Sequence, residues 1–164
     1  MQLPDPEQLI QQLAAALKPR LRANSALVGI HSGGAWVAQK LQQQLGGDLP
    51  LGTLDISFYR DDFSSIGLHP QVRPSDIPFA MEDAHIILVD DVLHTGRTIR
   101  AAMHELFDYG RPAAIELVVL IDRGGRELPI AADLVGARLD LTQNQNIQVT
   151  LDSNNQLKLS LHQR

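Results

Sequence analysis

Short apolar runs recur along the whole chain, and helix-like patterns fill the intervals between them. Most of these runs are too apolar on both faces for a wet surface, which is typical of strands in a parallel sheet. The four main predicted strands are ALVGI at 26–30, LGTLDISFY at 51–59, HIILV at 85–89 and AAIELVVLID at 113–122. Three further strands are predicted near the C-terminal end, in ADLVGARL, NIQVTL and LKLSL. The alternation predicts an α/β fold with a doubly wound, mainly parallel sheet.

Three helices are predicted between these strands. The first opens at Asp5 or Pro6 and is ended by Pro19, and the second follows the glycine turn HSGG and stops at the glycines 46–47. The third runs from about Thr98 to Tyr109 and is capped by Gly110. The residues expected to face inward are Leu9, Ile10, Leu13, Ala16 and Leu17 in the first helix and Ala35, Val37, Ala38, Leu41 and Leu45 in the second.

One long segment shows neither the helical nor the strand pattern of apolar residues. RDDFSSIGLHPQVRPSDIPFAMEDA covers residues 60–84, and such long irregular loops are usually functional lids. We therefore expect a flexible lid over Asp61 to Phe79 that becomes ordered when ligand binds.

Composition narrows the class of protein. A length of 164 residues suits a single domain over 1–164, and the absence of cysteine excludes disulfides and thiolate metal sites. A formal charge of -5 argues against a generally basic nucleic-acid binder, and 4% aromatic residues argue against a stacking surface for single strands. No apolar stretch approaches the ~20 residues that span a bilayer, so we expect a cytoplasmic protein without a membrane partner.

The chemistry concentrates in ILVDDVLHTGRT. Asp90 and Asp91 follow a buried strand, and two adjacent carboxylates are tolerable there if they face solvent, a cation or ligand hydroxyls. The turn Thr95–Thr98 is rich in hydroxyls and opens a helix, where free amides favour a phosphate. A phosphate on the turn and sugar hydroxyls on the carboxylates describe a phosphorylated ribose. The alternative is a solvated pair that caps the helix.

This stretch resembles the 5-phosphoribosyl 1-pyrophosphate (PRPP) motif of type I phosphoribosyltransferases. SFYRDDFS, SDIPF, ILVDDVLHTGRTIRAAMHELFDYGRP and VLIDRGGRELPIAADLVG together resemble the PyrR family, pyrimidine-operon regulators with uracil phosphoribosyltransferase activity. The likeness runs nearly continuously from residue 55 to 136. It implies the type I phosphoribosyltransferase fold, with a flexible lid and a small hood beside the sheet.

The resemblance also implies a reaction and roles for residues. Ribose 5-phosphate would pass from PRPP to uracil with Mg²⁺, giving UMP and pyrophosphate. Asp90 and Asp91 would hold the ribose hydroxyls, and Thr95, Gly96, Arg97 and Thr98 would cradle the 5-phosphate, flanked by Val92, Leu93 and His94. Asp122, Arg123 and Arg126 would lie on the nucleobase and pyrophosphate side, with Asp122 as a candidate metal ligand. Arg60 would neutralise pyrophosphate from the root of the lid.

The pyrophosphate loop departs from the family pattern. The family usually carries Lys and Arg, as in GIKTRG, whereas this chain has His31, Ser32, Gly33 and Gly34. Backbone amides remain for an anion, but two cations are missing. We therefore expect slow turnover, and expect Gly33→Arg to raise it. His94 stands where purine enzymes often carry Asp, which favours a pyrimidine substrate.

Three classes of function stay open at this point. The chain is an enzyme that uses PRPP and uracil, a sensor of UMP or UTP that binds a pyrimidine leader RNA, or a regulator that binds another protein. The resemblance implies assembly of identical chains, so we expect a homo-oligomer, a dimer or a tetramer. Arg123 or Arg126 could instead form a structural ion pair with Glu127 or Asp133. The cations available for RNA are Lys18, Arg20, Arg22, Lys40 and Arg138.

Overall fold

The computed structural model describes residues 1–56 and 75–164. Within them, the helices are α1 (Pro6–Leu17), α2 (Gly33–Gln44) and α3 (Arg97–Leu106), with a 3-10 turn at Lys18–Arg20. The strands are β1 (Ser25–Ile30), β2 (Leu51–Leu54), β3 (His85–Leu93), β4 (Ala114–Asp122), β5 (Leu134–Arg138), β6 (Gln145–Leu151) and β7 (Leu157–Gln163). Arg60 and residues 61–74 of the expected lid lie outside the described residues, as do residues 57–59 of the second predicted strand.

Five strands form one parallel sheet in the order β2-β1-β3-β4-β5. Successive residues of β3 face opposite sides: Ile87 and Val89 pack in a cluster with α1 and α2, whereas Ile86 and Leu88 pack with α3. Helices therefore cover both faces, and the predicted doubly wound parallel sheet is confirmed. Parallel strands place all their carboxyl ends at one edge, where ligands bind in such folds.

The first helix begins as predicted, but one inward position differs. The side chain of Asp5 accepts a hydrogen bond from the Glu7 backbone N–H at 3.0 Å, which caps α1. Ala14 is buried, whereas Ala16, expected inside, is exposed. The buried stripe is centred on Leu17, and at ~100° per residue Ala14 falls inside its edge and Ala16 outside it.

The third strand and the third helix have different limits from those expected. The strand pairing of β3 continues through Asp90↔Val119 and Val92↔Ile121, so the acidic pair belongs to the strand instead of following it. Pairing with buried β4 outweighs the local signal of two charges. Helix α3 ends at Leu106, three residues before Tyr109.

The C-terminal strands divide between two sheets. β5 extends the parallel sheet, while β6 and β7 form a separate antiparallel hairpin. Ile147, Val149 and Leu157 of the hairpin are buried in the same apolar cluster as α1. This packing fixes β6 beside the end of β3, so that it forms the second wall of a cleft.

A polar network lies at the opposite, amino-terminal edge of the sheet. His85 is fully buried and bonds Ser25 Oγ through Nδ1, at 2.6 Å, and Glu116 through Nε2. Glu116 also accepts from Arg20 Nε at 2.7 Å. Burial by itself would raise the pKa of Glu116, but hydrogen bonds and charge from Arg20 and His85 hold it below its ordinary value. The network joins three strands to the 3-10 turn.

Candidate active site

A cleft of about 560 Å³ opens at the carboxyl ends of β3 and β4. This volume lies in the range of ~300–1,000 Å³ that is usual for small-molecule sites. One wall is the continuous stretch 90–99, and the other is 146–150 of β6, with Arg123 and Arg164 between them. The structure therefore brings both halves of the predicted phosphoribose motif into one cleft, together with Val92, Leu93 and His94.

The two carboxylates of the acidic pair differ in exposure. Asp90 is only 3% exposed, and its Oδ1 accepts the Asp91 backbone N–H at 2.9 Å. Asp91 is half-buried, and its Oδ1 accepts the Val92 backbone N–H at 2.8 Å. Asp91 thus offers the more accessible carboxylate to a ligand, while Asp90 forms the floor.

The loop His31–Gly34 lies behind the acidic pair. A Cβ added at Gly33 would sit 2.0 Å from Asp91 Oδ2, and one at Gly34 would sit 2.5 Å from the carbonyl oxygen of Val89. These glycines let the start of α2 pack directly on the end of β3. The expectation that Gly33→Arg raises turnover is therefore wrong in its structural premise, since any side chain at this position collides with the Asp91 side chain.

The turn before α3 has the shape expected of a phosphate cradle. Gly96 has φ 94°, and the Arg97 backbone N–H donates to Thr95 Oγ1 at 3.2 Å. A Cβ at Gly96 would approach the Ile130 side chain to 3.0 Å, so glycine is required for shape as well as for φ. Arg97 Nε pairs with Glu127 at 2.9 Å on the surface. Thr95, Gly96, Arg97 and Thr98 all line the cleft.

Asp122 is the centre of a charged cluster beneath the cleft. Its Oδ2 accepts from Arg126 Nη2 at 2.6 Å and from Arg138 Nη1 at 2.9 Å, and its Oδ1 accepts the Gly124 backbone N–H at 2.9 Å. Burial alone would raise the pKa of Asp122, but the Arg126 and Gly124 hydrogen bonds and the two positive charges bring it below its ordinary value. With both oxygens engaged by protein donors, Asp122 does not suit a divalent cation.

Arg126 uses its guanidinium to join three parts of the chain. Besides Asp122, it donates from Nε to the Ile130 carbonyl at 2.7 Å and from Nη1 to the His94 carbonyl at 2.9 Å. His94 is held a second time, because its Nδ1 bonds the Gly124 carbonyl at 2.9 Å. These bonds fix the path of the loop between β3 and α3. An ion pair is thus present, but its partner is Asp122 instead of Glu127 or Asp133.

Arg123 lies inside the cleft wall with few partners. It is 6% exposed and donates from Nη2 to the Thr142 carbonyl at 3.2 Å, and its buried Nε has no hydrogen-bond partner among the described residues. Burial, and then the positive charge of Arg164, lower the pKa of Arg123. The cleft lining also contains side chains that the sequence did not single out: Asn146, Gln148, Thr150 and Arg164. For Asn146, Gln148 and Thr150, only their alternating places in the strand NIQVTL could have indicated them, and for Arg164 the sequence carries no such signal.

Among the five candidate cations for RNA, three already face carboxylates. Arg20 pairs with Glu116, Lys40 lies 3.4 Å from Glu7, and Arg138 pairs with Asp122. Lys18 and Arg22 make no ion pair within residues 1–56 and 75–164. No helix in these ranges is both long and apolar enough to cross a membrane.

Comparison with known proteins agrees with this geometry. The family model described as the phosphoribosyl transferase domain matches residues 2–154. A Pseudomonas fluorescens protein named Bifunctional protein PyrR is 55% identical over 163 residues, which cover 97% of both chains. The chain belongs to the PyrR family. A protein of the same name from Nitrosococcus oceani is 52% identical and covers 92% of this chain and 91% of its own.

Solved structures of related enzymes share the PyrR-family fold. A hypoxanthine phosphoribosyltransferase from Staphylococcus aureus has TM-score 0.66 and 25% identity, covering 84% of this chain and 76% of its own. The Trypanosoma cruzi hypoxanthine enzyme has TM-score 0.64 and 27% identity, covering 82% and 76%. The parallel sheet with its C-terminal-edge cleft is therefore the phosphoribosyltransferase architecture, as predicted.

Proposed function

We propose that this protein transfers ribose 5-phosphate from PRPP to uracil, yielding UMP and pyrophosphate, and that pyrimidine nucleotides in the same site make it a regulator. The observation that carries the proposal is the single cleft lined by both the acidic pair and the Thr95–Thr98 turn. The name of its relatives, Bifunctional protein PyrR, supports the two activities. The cytoplasm, where PRPP and uracil are available, is the compartment we propose.

Binding follows from the order of groups along the cleft. The 5-phosphate occupies the turn at the start of α3, where backbone amides and two threonine hydroxyls donate to it. The ribose lies over Asp91, with Asp90 beneath, and its hydroxyls donate to these carboxylates. The base extends from the other end of the sugar toward Arg123 and β6. Phosphate, ribose and base are thus each assigned to a different part of the cleft lining.

The chemical step needs charge stabilisation and no protein nucleophile. The bond from the anomeric carbon to pyrophosphate breaks and leaves its electron pair on the pyrophosphate oxygen, while uracil N1 forms the new bond and gives up its proton to the departing pyrophosphate. Carboxylates below the sugar stabilise the positive charge that develops on its ring. Ser32 and Gly33 amides, and Arg60 from outside the described residues, are the donors we assign to pyrophosphate. Arg126, with three protein partners, is a positioning residue in this proposal.

A divalent cation fits the site only together with the substrate. Asp91 is the accessible carboxylate, and the ranges 1–56 and 75–164 contain no cluster of three acidic or histidine side chains that would cage a metal alone. Mg²⁺ commonly keeps several waters and binds through one or two carboxylates plus substrate oxygens. We assign Mg²⁺ to Asp91 and PRPP, where it would neutralise charge on the pyrophosphate.

RNA regulation is the second candidate activity, and the family name favours it. The chain carries net charge -5, so a binding surface for a pyrimidine leader must gather Lys18 and Arg22 from more than one copy. A homodimer or tetramer would do this. We expect weak affinity that falls steeply with salt, because few phosphates are contacted.

Asp91→Asn tests the proposed site by calorimetry with UMP. Hydrogen bonds to a charged group contribute ~1.5 to 3 kcal/mol, so the substitution should weaken UMP binding roughly tenfold or more. Asp108→Asn, an exposed aspartate beyond the far end of α3, is the matched control and should bind normally. Unchanged affinity in the Asp91 variant would contradict the placement of the ribose.

A further inference from the structure

Arg164 enters the cleft from the C-terminal hairpin and has no assigned role. Its backbone N–H donates to the Asn144 carbonyl at 2.7 Å, which holds the residue beside β6. Its side chain lines the cleft with Arg123, and the two positive charges repel each other. Neither arginine pairs with a carboxylate in the part of the chain that the structure describes. Two donor-only groups thus face a ligand-sized space.

The position of these arginines identifies the part of the ligand they meet. If the 5-phosphate lies on the Thr95–Thr98 turn and the ribose on Asp91, the base projects from the opposite end of the sugar. Apart from 90–99, the cleft lining consists of Arg123, Arg164 and 146–150, so the base is assigned to these residues. This step rests on the proposed function, since it takes the ligand to be a pyrimidine nucleotide.

A guanidinium group can discriminate between pyrimidines because it only donates hydrogen bonds. It therefore suits a carbonyl oxygen and opposes an amino group. Uracil has an oxygen at position 4, where cytosine has an amino group. Amide side chains of Asn146 and Gln148 remain for N3–H.

We propose that Arg164 is a specificity-determining residue that selects 4-oxo over 4-amino pyrimidines by donating to the base at position 4. Arg164 is exposed, so its substitution should not disturb folding. It acts next to Arg123, which closes the inner side of the same pocket. Removing the Arg164 guanidinium should change only the contact with the base, because the sugar and the phosphate are bound by other residues.

The test compares UMP and CMP, which share sugar and phosphate, by calorimetry. The wild-type protein should prefer UMP by roughly tenfold or more. Arg164→Gln, whose amide can accept from an amino group, should reduce the UMP/CMP ratio about tenfold, whereas Arg164→Lys, still donor-only, should largely keep it. Arg111→Gln makes the same charge change at an exposed site at the other edge of the sheet and should leave the ratio unchanged.

The outcomes separate this inference from the proposed function. UMP binding with an unchanged ratio in Arg164→Gln, or equal binding of UMP and CMP by the wild type, overturns the role of Arg164 and leaves the nucleotide site standing. Failure of the wild type to bind UMP overturns both. A ratio that falls equally in the Gln and Lys variants also counts against the inference, because it indicates a structural effect of the arginine.

Discussion

Replacing Asp122 by Asn removes the carboxylate that Arg126 and Arg138 share beneath the cleft. Arg126 lies 2.6 Å from Asp122, and the side chains are 25% and 6% exposed. Arg138 lies 2.9 Å away but is 71% exposed, so solvent screens most of its interaction. The pair that matters for stability is therefore Asp122 with Arg126. Its loss should also loosen the His94 carbonyl and hence the loop that leads into the Thr95–Thr98 turn.

The size of the effect follows from the burial of the pair. Breaking a buried ion pair by removing one partner costs ~3–5 kcal/mol, and partial exposure of Arg126 places this case near ~3 kcal/mol. For a chain of this length that loss lowers the melting temperature by roughly 6–12 °C. Arg138→Ala should cost only ~0–1 kcal/mol. Loss of the Arg126 contact and loss of the Arg138 contact with the same carboxylate should therefore differ clearly in their effect on stability.

Urea unfolding of a double-mutant cycle measures the pair directly. Asp122→Asn, Arg126→Ala and the double variant should show a coupling energy of ~1–3 kcal/mol, while Asp108→Asn, an exposed control, should leave stability unchanged. UMP affinity should fall in both single variants because the loop is shared. Additive effects, within ~0.5 kcal/mol, would refute the view that Arg126 acts through Asp122.

Three further predictions follow from other contacts. Gly33→Arg should destabilise the fold by ~1–3 kcal/mol or more and give no gain in turnover. Gln39→Arg, on the exposed face of α2, is the control and should have the melting temperature of the wild type. A Gly33→Arg variant that is stable and turns over faster would contradict the predicted collision with Asp91. Because the folded pKa of Asp122 lies below its ordinary 3.8, its contribution is present above that pH and is lost as the pH falls through the folded pKa. In urea unfolding between about pH 2 and pH 7, the free energy of unfolding should therefore fall less steeply with acid in Asp122→Asn than in the wild type. Glu116→Gln should cost ~1–3 kcal/mol in thermal unfolding by leaving Arg20 and His85 without their carboxylate; an unchanged melting temperature would remove the network from the account.

Periodicity in the sequence was sufficient for the sheet and its helices. Continuous apolar runs such as Ile86–Val89 predict buried parallel strands, and the motif predicted a turn at Thr95–Thr98 that opens a helix, which agrees with the start of α3 at Arg97. Local pattern failed where tertiary pairing decides. Two adjacent charges suggested that β3 stops at Val89, but hydrogen bonding to β4 carries it to Leu93. The exposed Ala16 shows the same limit, since a small residue fits either edge of a helix face.

The missed parts of the site come from far along the chain. Arg138, which the sequence suggested only as a cation for RNA, reaches Asp122 across 16 residues, and Arg164, which had no expected role, reaches the cleft only because the hairpin folds back onto the sheet. Neither has a neighbour in sequence that indicates a ligand. His85 had no assigned role either, because the residues that bond it, Ser25 and Glu116, are brought together only by strand order.

Formation of UMP from uracil and PRPP is the measurement that tests the central claim most directly. The assay contains Mg²⁺ and is repeated with uracil omitted and with cytosine, hypoxanthine or guanine in its place. Of the bases tested, only uracil should react with PRPP, giving UMP and pyrophosphate in equal amounts. The rate should fall in Asp91→Asn and stay unchanged in Asp108→Asn. Turnover of hypoxanthine or guanine without turnover of uracil would contradict it.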